Sequence, residues 1–283
     1  MVGRRKCSAD ADTSIFATNV TTKPAKPLSS EDMTMFTFQL VLAASLFAAA
    51  EATAPNTLTE QEKQQGWRLL FDGKTTEGWR GYKMDKMPPG WKVIDGVLAR
   101  VTGGPGGKGA GGGDDIITVE QFDNFELMLD WRILDRGGNS GVIIRANENA
   151  VTSWHTGPEV QILDNAAYPG RDTRQLAGAC YDLYPPSKDV SRPLGQWNTF
   201  RIVADGNHIE HWLNGEKIIE YQLGSDDWKQ RVAASKFRKM EAFLNPPTKG
   251  HICLQDHTAR IEFRNIKIRP LPAKAAQQPK ARQ

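Results

Sequence analysis

The feature that most limits the folds open to this chain is a repeated pattern of short alternating segments closed by turn dipeptides. Trp91–Ile94 is followed by Asp95-Gly96 and then by residues 97–101, the pattern of a tight hairpin. His208–Leu213 meets Asn214-Gly215 before residues 216–221, and residues 198–204 reach His208 through Asp205-Gly206-Asn207. Phe125–Ile133 alternates cleanly, as do residues 141–145 after the turn Gly137-Gly138-Asn139-Ser140. Residues 67–71, Glu159–Leu163, 251–255 and 260–269 complete the set. One short helix is expected, from the N-cap pair Ser225-Asp226 to about Lys239, with Trp228, Val232 and Phe237 near one stripe. Strands at this spacing, with no βαβ rhythm and no internal repeat, predict an all-β sandwich and disfavour a propeller or solenoid.

At 283 residues the chain can hold one large domain or two small ones. Residues 1–54 read as a leader. Residues 36–50 have the length of a signal-peptide apolar segment, too short to span a bilayer, and Ala50-Glu51-Ala52 or Ala52-Thr53-Ala54 supplies the cleavage pattern. The charges of Arg4-Arg5-Lys6 lie far upstream, so Met33 or Met35 is the more natural start and residues 1–32 read as an over-extended gene start. No cysteine directly follows the apolar run, which gives no sign of a lipid anchor. The expectation is a periplasmic or secreted protein with no membrane anchor after cleavage, a retained anchor being the weaker alternative. Residues 60–271 form the folded domain, and residues 272–283 a disordered basic tail. Residues 103–113 are glycine-rich but follow no βα unit and lack the Lys-Ser/Thr of a phosphate loop, so they read as a flexible loop.

Lys and Arg total 36 against 33 Asp and Glu, a net of +3, which makes no case for a nucleic-acid partner. Eight Trp is a high count for this length, and Trp is the usual platform for sugar rings; Trp79 and Trp154 are candidates. Past the leader, Cys180 and Cys253 fit either a disulfide or two buried thiols, and no zinc spacing exists.

The richest stretch is residues 155–165. Along Glu159–Leu163 the alternation puts Glu159 and Gln161 on one face and points Val160 and Ile162 into a core. A bulge near Ile162-Leu163 would bring Asp164 onto the face of Glu159, giving the two carboxylates with which many sugar-cleaving enzymes hold an acid and a base. Each residue also has a plainer reading. Polar residues on an open strand face are often only solvated; His155 suits a loop, His257 a hairpin cap, and Asp256 a turn. Asn139 and Ser140 shape a turn, Gly141 has a backbone role, and Lys236 suits a solvated helix face.

In order along the chain, Phe71-Asp-Gly-Lys74 with Trp79, Trp91-x-Val-x-Asp-Gly96, Asp130-Trp131-Arg132, Gly138-Asn-Ser-Gly141 and Pro158-Glu-Val-Gln-Ile-Leu-Asp-Asn165 form a recognisable set. So do Gly178-Ala-Cys-Tyr-Asp-Leu-Tyr184, His211-Trp-Leu-Asn-Gly215, Leu254-Gln-Asp-His257 and Phe263-Arg-Asn265. Together they resemble the 3-keto-disaccharide hydrolase family over about residues 66–269. The resemblance implies a concanavalin A-like jelly roll, related in shape to laminarinase-type glucanases. Those enzymes carry Glu-x-Asp-x-x-Glu on a bulged strand; here the spacing reads Glu159-x-Gln161-x-x-Asp164, which departs from an ordinary double displacement.

The chemistry implied is cleavage of 3-keto-glycosides. A ketone at C3 makes the C2 proton removable, the C1 substituent then leaves by β-elimination, and water adds to the enone. The resemblance makes Glu159, Asp164, His155 and His257 the catalytic candidates. Gln161, Asn139, Arg145, Tyr181, Lys236, Gln255 and Asp256 are the substrate-binding candidates, Lys236 or Arg145 stabilising the enolate. No cofactor is expected. Glu159, Asp164, His155 and His257 also make a hard-ligand set for a divalent ion, and a structural calcium on oxygen-rich turns is equally conceivable; no metal is assigned. The alternatives are a non-catalytic carbohydrate-binding jelly roll and an ordinary glycosidase acting on unoxidised glucans.

Overall fold

Two positions with positive φ decide each of two hairpins. Asp95 and Gly96 sit at 48° and 78°, Asn214 and Gly215 at 52° and 87°, the left-handed pair that a type I′ turn requires. The computed structural model describes residues 54–101 and 114–272; the leader, the glycine-rich loop and the basic tail beyond residue 272 lie outside the described residues.

The chain begins with α1 (Glu60–Gln64), β1 (Arg68–Leu69), β2 (Trp79–Gly81), β3 (Trp91–Ile94) and β4 (Val97–Arg100). It continues through β5 (Ile116–Thr118), β6 (Phe125–Ile133), β7 (Asn139–Ala146) and β8 (Glu159–Leu163). Then come β9 (Asn198–Asp205), β10 (His208–Leu213), β11 (Glu216–Gln222), α2 (Asp226–Ala233), α3 (Glu241–Leu244), β12 (His251–Leu254) and β13 (Ile261–Pro270). The strands build an eight-stranded sheet, β11-β10-β9-β6-β13-β4-β3 with β1 beside β13, and a five-stranded sheet, β2-β5-β12-β7-β8. The result is the expected all-β jelly-roll sandwich.

Leu127 of β6, Phe200 and Ile202 of β9, Val142 of β7, and Val160 and Ile162 of β8 are fully buried in one core. Each such side chain contributes about 1.5–3 kcal/mol. Slipping β8 by one residue would trade Val160 and Ile162 for Glu159 and Gln161 in that core, so the register is strongly fixed.

Helices are where local pattern and structure part. The Ser225 hydroxyl accepts the Trp228 amide and starts α2 as expected, but the helix ends at Ala233 and not near Lys239. Phe237 still reaches the core, from the turn that follows, and stacks on Phe243 at 4.0 Å. Two further short helices, α1 and α3, bring the described total to three. The five-residue α1 buries nothing and α3 is four residues long, so neither leaves a periodic apolar stripe to read.

The expected bulge is also displaced. β8 pairs with β7 without a shift, from Ile143 opposite Glu159 to Asn139 opposite Leu163. The irregularity falls instead between β7 and β12, where Ala146 faces His251 but Ile143 faces Cys253. The extra residue is on β7, and Arg145 sits there at φ 53°. Cys180 and Cys253 are two buried free thiols. Trp79 is core and not a platform: it is buried, and its indole N–H donates to the Leu70 carbonyl at 2.6 Å. No helix among the described residues is long and apolar enough to cross a membrane.

Candidate active site

With no bulge in β8, the pleat alone sets its faces. Glu159 and Gln161 point away from the core and look into a cavity of about 170 Å³, lined also by Asn139, Trp154, Tyr181, Lys236, Gln255 and His257. Several elements hold this wall together. Residues 178–181 run along the free edge of β8: Gly178 N–H donates to the Gln161 carbonyl at 2.8 Å, and Tyr181 N–H to that of Glu159 at 3.0 Å. Tyr181 is thereby fixed beside the Glu159 backbone. Gln255 follows β12 and is tied to β7 by its N–H on the Gly141 carbonyl (2.9 Å) and its own carbonyl on the Ser140 hydroxyl (2.7 Å). Trp154 comes from a single 3₁₀ turn, Ser153–His155, anchored by the Ser153 hydroxyl on the buried Asp115 carboxylate.

Lys236 arrives just past α2, its backbone N–H on Asp182 at 3.2 Å. Its ammonium lies 4.3 Å from the ring centroids of both Trp154 and Tyr181, an aromatic cradle that holds a cation over the cavity. Asn139 accepts a hydrogen bond from the Gln161 amide at 2.9 Å, and Gln161 Oε1 is buried with no partner among the described residues. A buried acceptor left unmet calls for an explanation, and here its residue lines a cavity where a ligand hydroxyl could donate to it.

The electrostatics centre on Glu159. It is 7% exposed, and its carboxylate accepts no hydrogen bond from the described residues. Burial pushes its pKa up to about 8; the Lys236 charge pulls it down and the Asp115 charge pushes it up. Burial pulls Lys236 below the ordinary lysine range, while Glu159 and Asp182 raise it. Asp115, under the same wall, is raised to about 6 by burial against the hydrogen bonds from Ser153 and the Asp256 amide. Nothing in the sequence pattern flagged Asp115; only its position beside the apolar Ile116-Ile117 hinted at burial. Burial lowers His257, which keeps its imidazole neutral near pH 7.

Four candidates lie elsewhere. Asp164, one residue past β8, accepts the Gly137 amide at 2.9 Å and lines a different cavity, so it does not share a floor with Glu159. His155 packs edge-on to Trp154 (centroids 3.8 Å) and opens into a third cavity with Thr156 and Glu241. Arg145 is turned away by the β7 bulge, and its guanidinium donates to the carbonyls of Asp123 (2.9 Å) and Gly206 (2.7 Å). Asp256 is buried against Arg100, whose Nη2 donates to it at 3.0 Å, so it neither lines the cavity nor orients His257. The hard-ligand set imagined from Glu159, Asp164, His155 and His257 is therefore spread over three cavities. Among the described residues, His208, Glu210 and Glu220 are close enough to share an ion, and there Lys217 already pairs with both acids.

Residues 66–269 match the family model of the 3-keto-alpha-glucoside-1,2-lyase-like domain. A 3-keto-disaccharide hydrolase of Bacteroides thetaiotaomicron is 32% identical over 255 residues, covering 81% of this chain and 87% of that protein. Two crystal structures of Parabacteroides distasonis proteins, provisionally described as glycosyl hydrolases, share the fold. One is 36% identical with a TM-score of 0.69, over 77% of this chain and all of that one. The other is 30% identical with a TM-score of 0.57, over 72% of this chain and 99% of that one.

Proposed function

Since the chain belongs to the 3-keto-alpha-glucoside-1,2-lyase-like family, we propose that it cleaves 3-keto-glycosides, with Glu159 as the base that takes the C2 proton. The observation that carries this reading is a buried carboxylate, with a raised pKa and no hydrogen-bond partner among the described residues, lining with a lysine a cavity suited to one sugar ring. A glycosidase acting on unoxidised sugars normally needs two carboxylates about 5–10 Å apart. The second carboxylate expected from the sequence, Asp164, lines a different cavity.

A single base suffices when the substrate supplies its own acidity. The Glu159 carboxylate takes the proton from C2, and the electron pair moves onto the C3 carbonyl oxygen as an enolate. The Lys236 ammonium stabilises that charge. The enolate re-forms the ketone, the C1–O bond breaks, and the leaving oxygen takes the phenol proton of Tyr181, which lines the same cavity. Water then adds at C1 of the enone and gives its proton to the Tyr181 phenolate, while protonated Glu159 returns a proton to C2, which completes net hydrolysis and restores both groups. A base with a pKa near 8 is about one-tenth ionised at pH 7 but is stronger than an ordinary carboxylate, the compromise that general-base catalysis favours.

The test is turnover of 3-keto and unoxidised forms of one glycoside by the purified protein. Rapid cleavage of the keto form alone supports the reading. Equal turnover of both overturns it, and binding without turnover of either favours a carbohydrate-binding module. We also propose an extracytoplasmic location, supported by the apolar residues 36–50 and the Ala-x-Ala pattern after them. A mature N-terminus near Thr53 is expected, and an exported chain that keeps Phe36 would refute it.

A further inference from the structure

We propose that Asp115 is a positioning residue for the Glu159 site, a buried carboxylate that ties together two stretches of the cavity lining and keeps a negative charge near the base. The inference rests on the reading of Glu159 given above.

Asp115 immediately precedes β5, whose Ile116 pairs with Leu254 at the end of β12, so the chain leaves β12 beside it. Its own carbonyl accepts the Tyr82 amide at 2.7 Å, which fixes its backbone. The two carboxylate oxygens have separate partners. Oδ1 accepts the Asp256 amide at 2.7 Å and so holds the backbone between Gln255 and His257. Oδ2 accepts the Ser153 hydroxyl and so holds the turn that carries Trp154. Gln255, His257 and Trp154 all line the Glu159 cavity, and Trp154 helps to cradle the Lys236 ammonium. Arg100 engages the Asp256 side chain and is separate from this brace, which uses the Asp256 backbone.

A hydrogen-bonded brace does not by itself call for a charge. Asp115 is 2% exposed and has no ion pair among the described residues, an unfavourable place for a carboxylate when an amide could accept the same backbone N–H. What the charge adds is repulsion toward Glu159. Burial raises that base most, Lys236 lowers it, and the Asp115 charge raises it further. Burial brings Asp115 itself to about 6, so it is ionised where Glu159 titrates. Asp114 and Asp256 set like charges around Asp115 and share Arg100, while burial keeps the nearby Cys253 thiol and Tyr82 phenol neutral. Glu159 is also faced by Lys236 and His257, and by the Tyr181 phenol and Cys180 thiol, both kept neutral by burial.

The experiment measures kcat, KM and the pH profile of Ser153→Ala and Asp115→Asn on one 3-keto-glycoside. Ser153→Ala cuts only the arm to Trp154. It is expected to lower kcat about 10-fold with KM close to native, because Lys236 acts on charge that exists only in the transition state. Asp115→Asn still accepts the Asp256 amide, and its NH2 group can donate to the Ser153 oxygen. It should keep most of the native kcat, while the rising limb of kcat/KM moves to lower pH as Glu159 loses its repelling neighbour. An unchanged kcat in Ser153→Ala, or a limb that stays in place in Asp115→Asn, overturns the proposal. If the native protein turns over no 3-keto-glycoside, the reading of Glu159 falls and Asp115 is judged by carbon NMR titration of the Glu159 carboxyl, assigned by its absence in Glu159→Gln. A lower midpoint in Asp115→Asn then supports the placement of Asp115, and an unchanged midpoint rejects it.

Discussion

Gly141 leaves empty the space that the Glu159 carboxylate fills: a Cβ at position 141 would stand 2.4 Å from Glu159 Oε1. Gly141 lies diagonally across the β7–β8 ladder from Glu159, and the missing side chain lets the carboxylate lie flat over the strand. Gly141→Ala meets the movable end of a side chain, so the fold should survive with a stability loss of about 1 kcal/mol or less. Glu159 must swing out, and kcat on a 3-keto-glycoside should fall at least about 10-fold. Melting and initial rates on the same sample check both, and full activity in the variant would refute the packing argument.

Glu159→Gln removes the base and should lower kcat by about 100- to 10,000-fold. Its effect on stability has the opposite sign. The folded-state pKa of about 8 lies above the ordinary 4.5, so between those values the folded chain binds more protons than the unfolded one. The Glu159 contribution is intact below pH 4.5 and is lost as pH rises through about 8. Glu159→Gln should therefore match the native protein at pH 4 and exceed it above pH 8 by on the order of 1–3 kcal/mol. Chemical denaturation at the two pH values measures the difference.

The pH dependence of kcat/KM should rise through about pH 8 as Glu159 ionises. The nearby ammonium lowers the Glu159 pKa, so Lys236→Met should move this limb to higher pH as well as reduce kcat. A pH profile that stays in place after the change would show that Lys236 does not face the base.

Arg100 holds Asp256 in a buried ion pair beside Asp114, which burial and the Asp256 charge push upward. Arg100→Met leaves two acids buried without their cation and should cost about 3–5 kcal/mol. Protein that remains folded should keep the native pH profile, because neither acid faces the cavity. Thermal denaturation and the pH profile together separate this structural role from a catalytic one.

Much of the frame was legible because it is local. Trp91–Ile94, Phe125–Ile133 and Glu159–Leu163 are strands with the bounds that alternation predicts, and Asp95-Gly96 and Asn214-Gly215 turn where a positive φ is needed. The placement of Glu159 and Gln161 on one face, opposite Val160 and Ile162, follows from the pleat alone. The helix end at Ala233 was not legible, since Phe237 keeps the apolar stripe going while reaching the core by another route.

The order of residues along each strand sets which face each side chain takes, because the backbone pleat has a fixed period of two. It could not determine what those faces meet. Asp164 lies one residue beyond the pleat, where a 3₁₀ turn and the Gly137 amide aim it into the neighbouring cavity. Arg145 was drawn off by a bulge set by the pairing of β7 with β12, and Asp256 by a buried cation contributed from β4. Lys236 meets Glu159 only because the loop after α2 closes over residues far away in the chain. Those outcomes are fixed by packing and charge pairing between distant segments, which local periodicity does not encode.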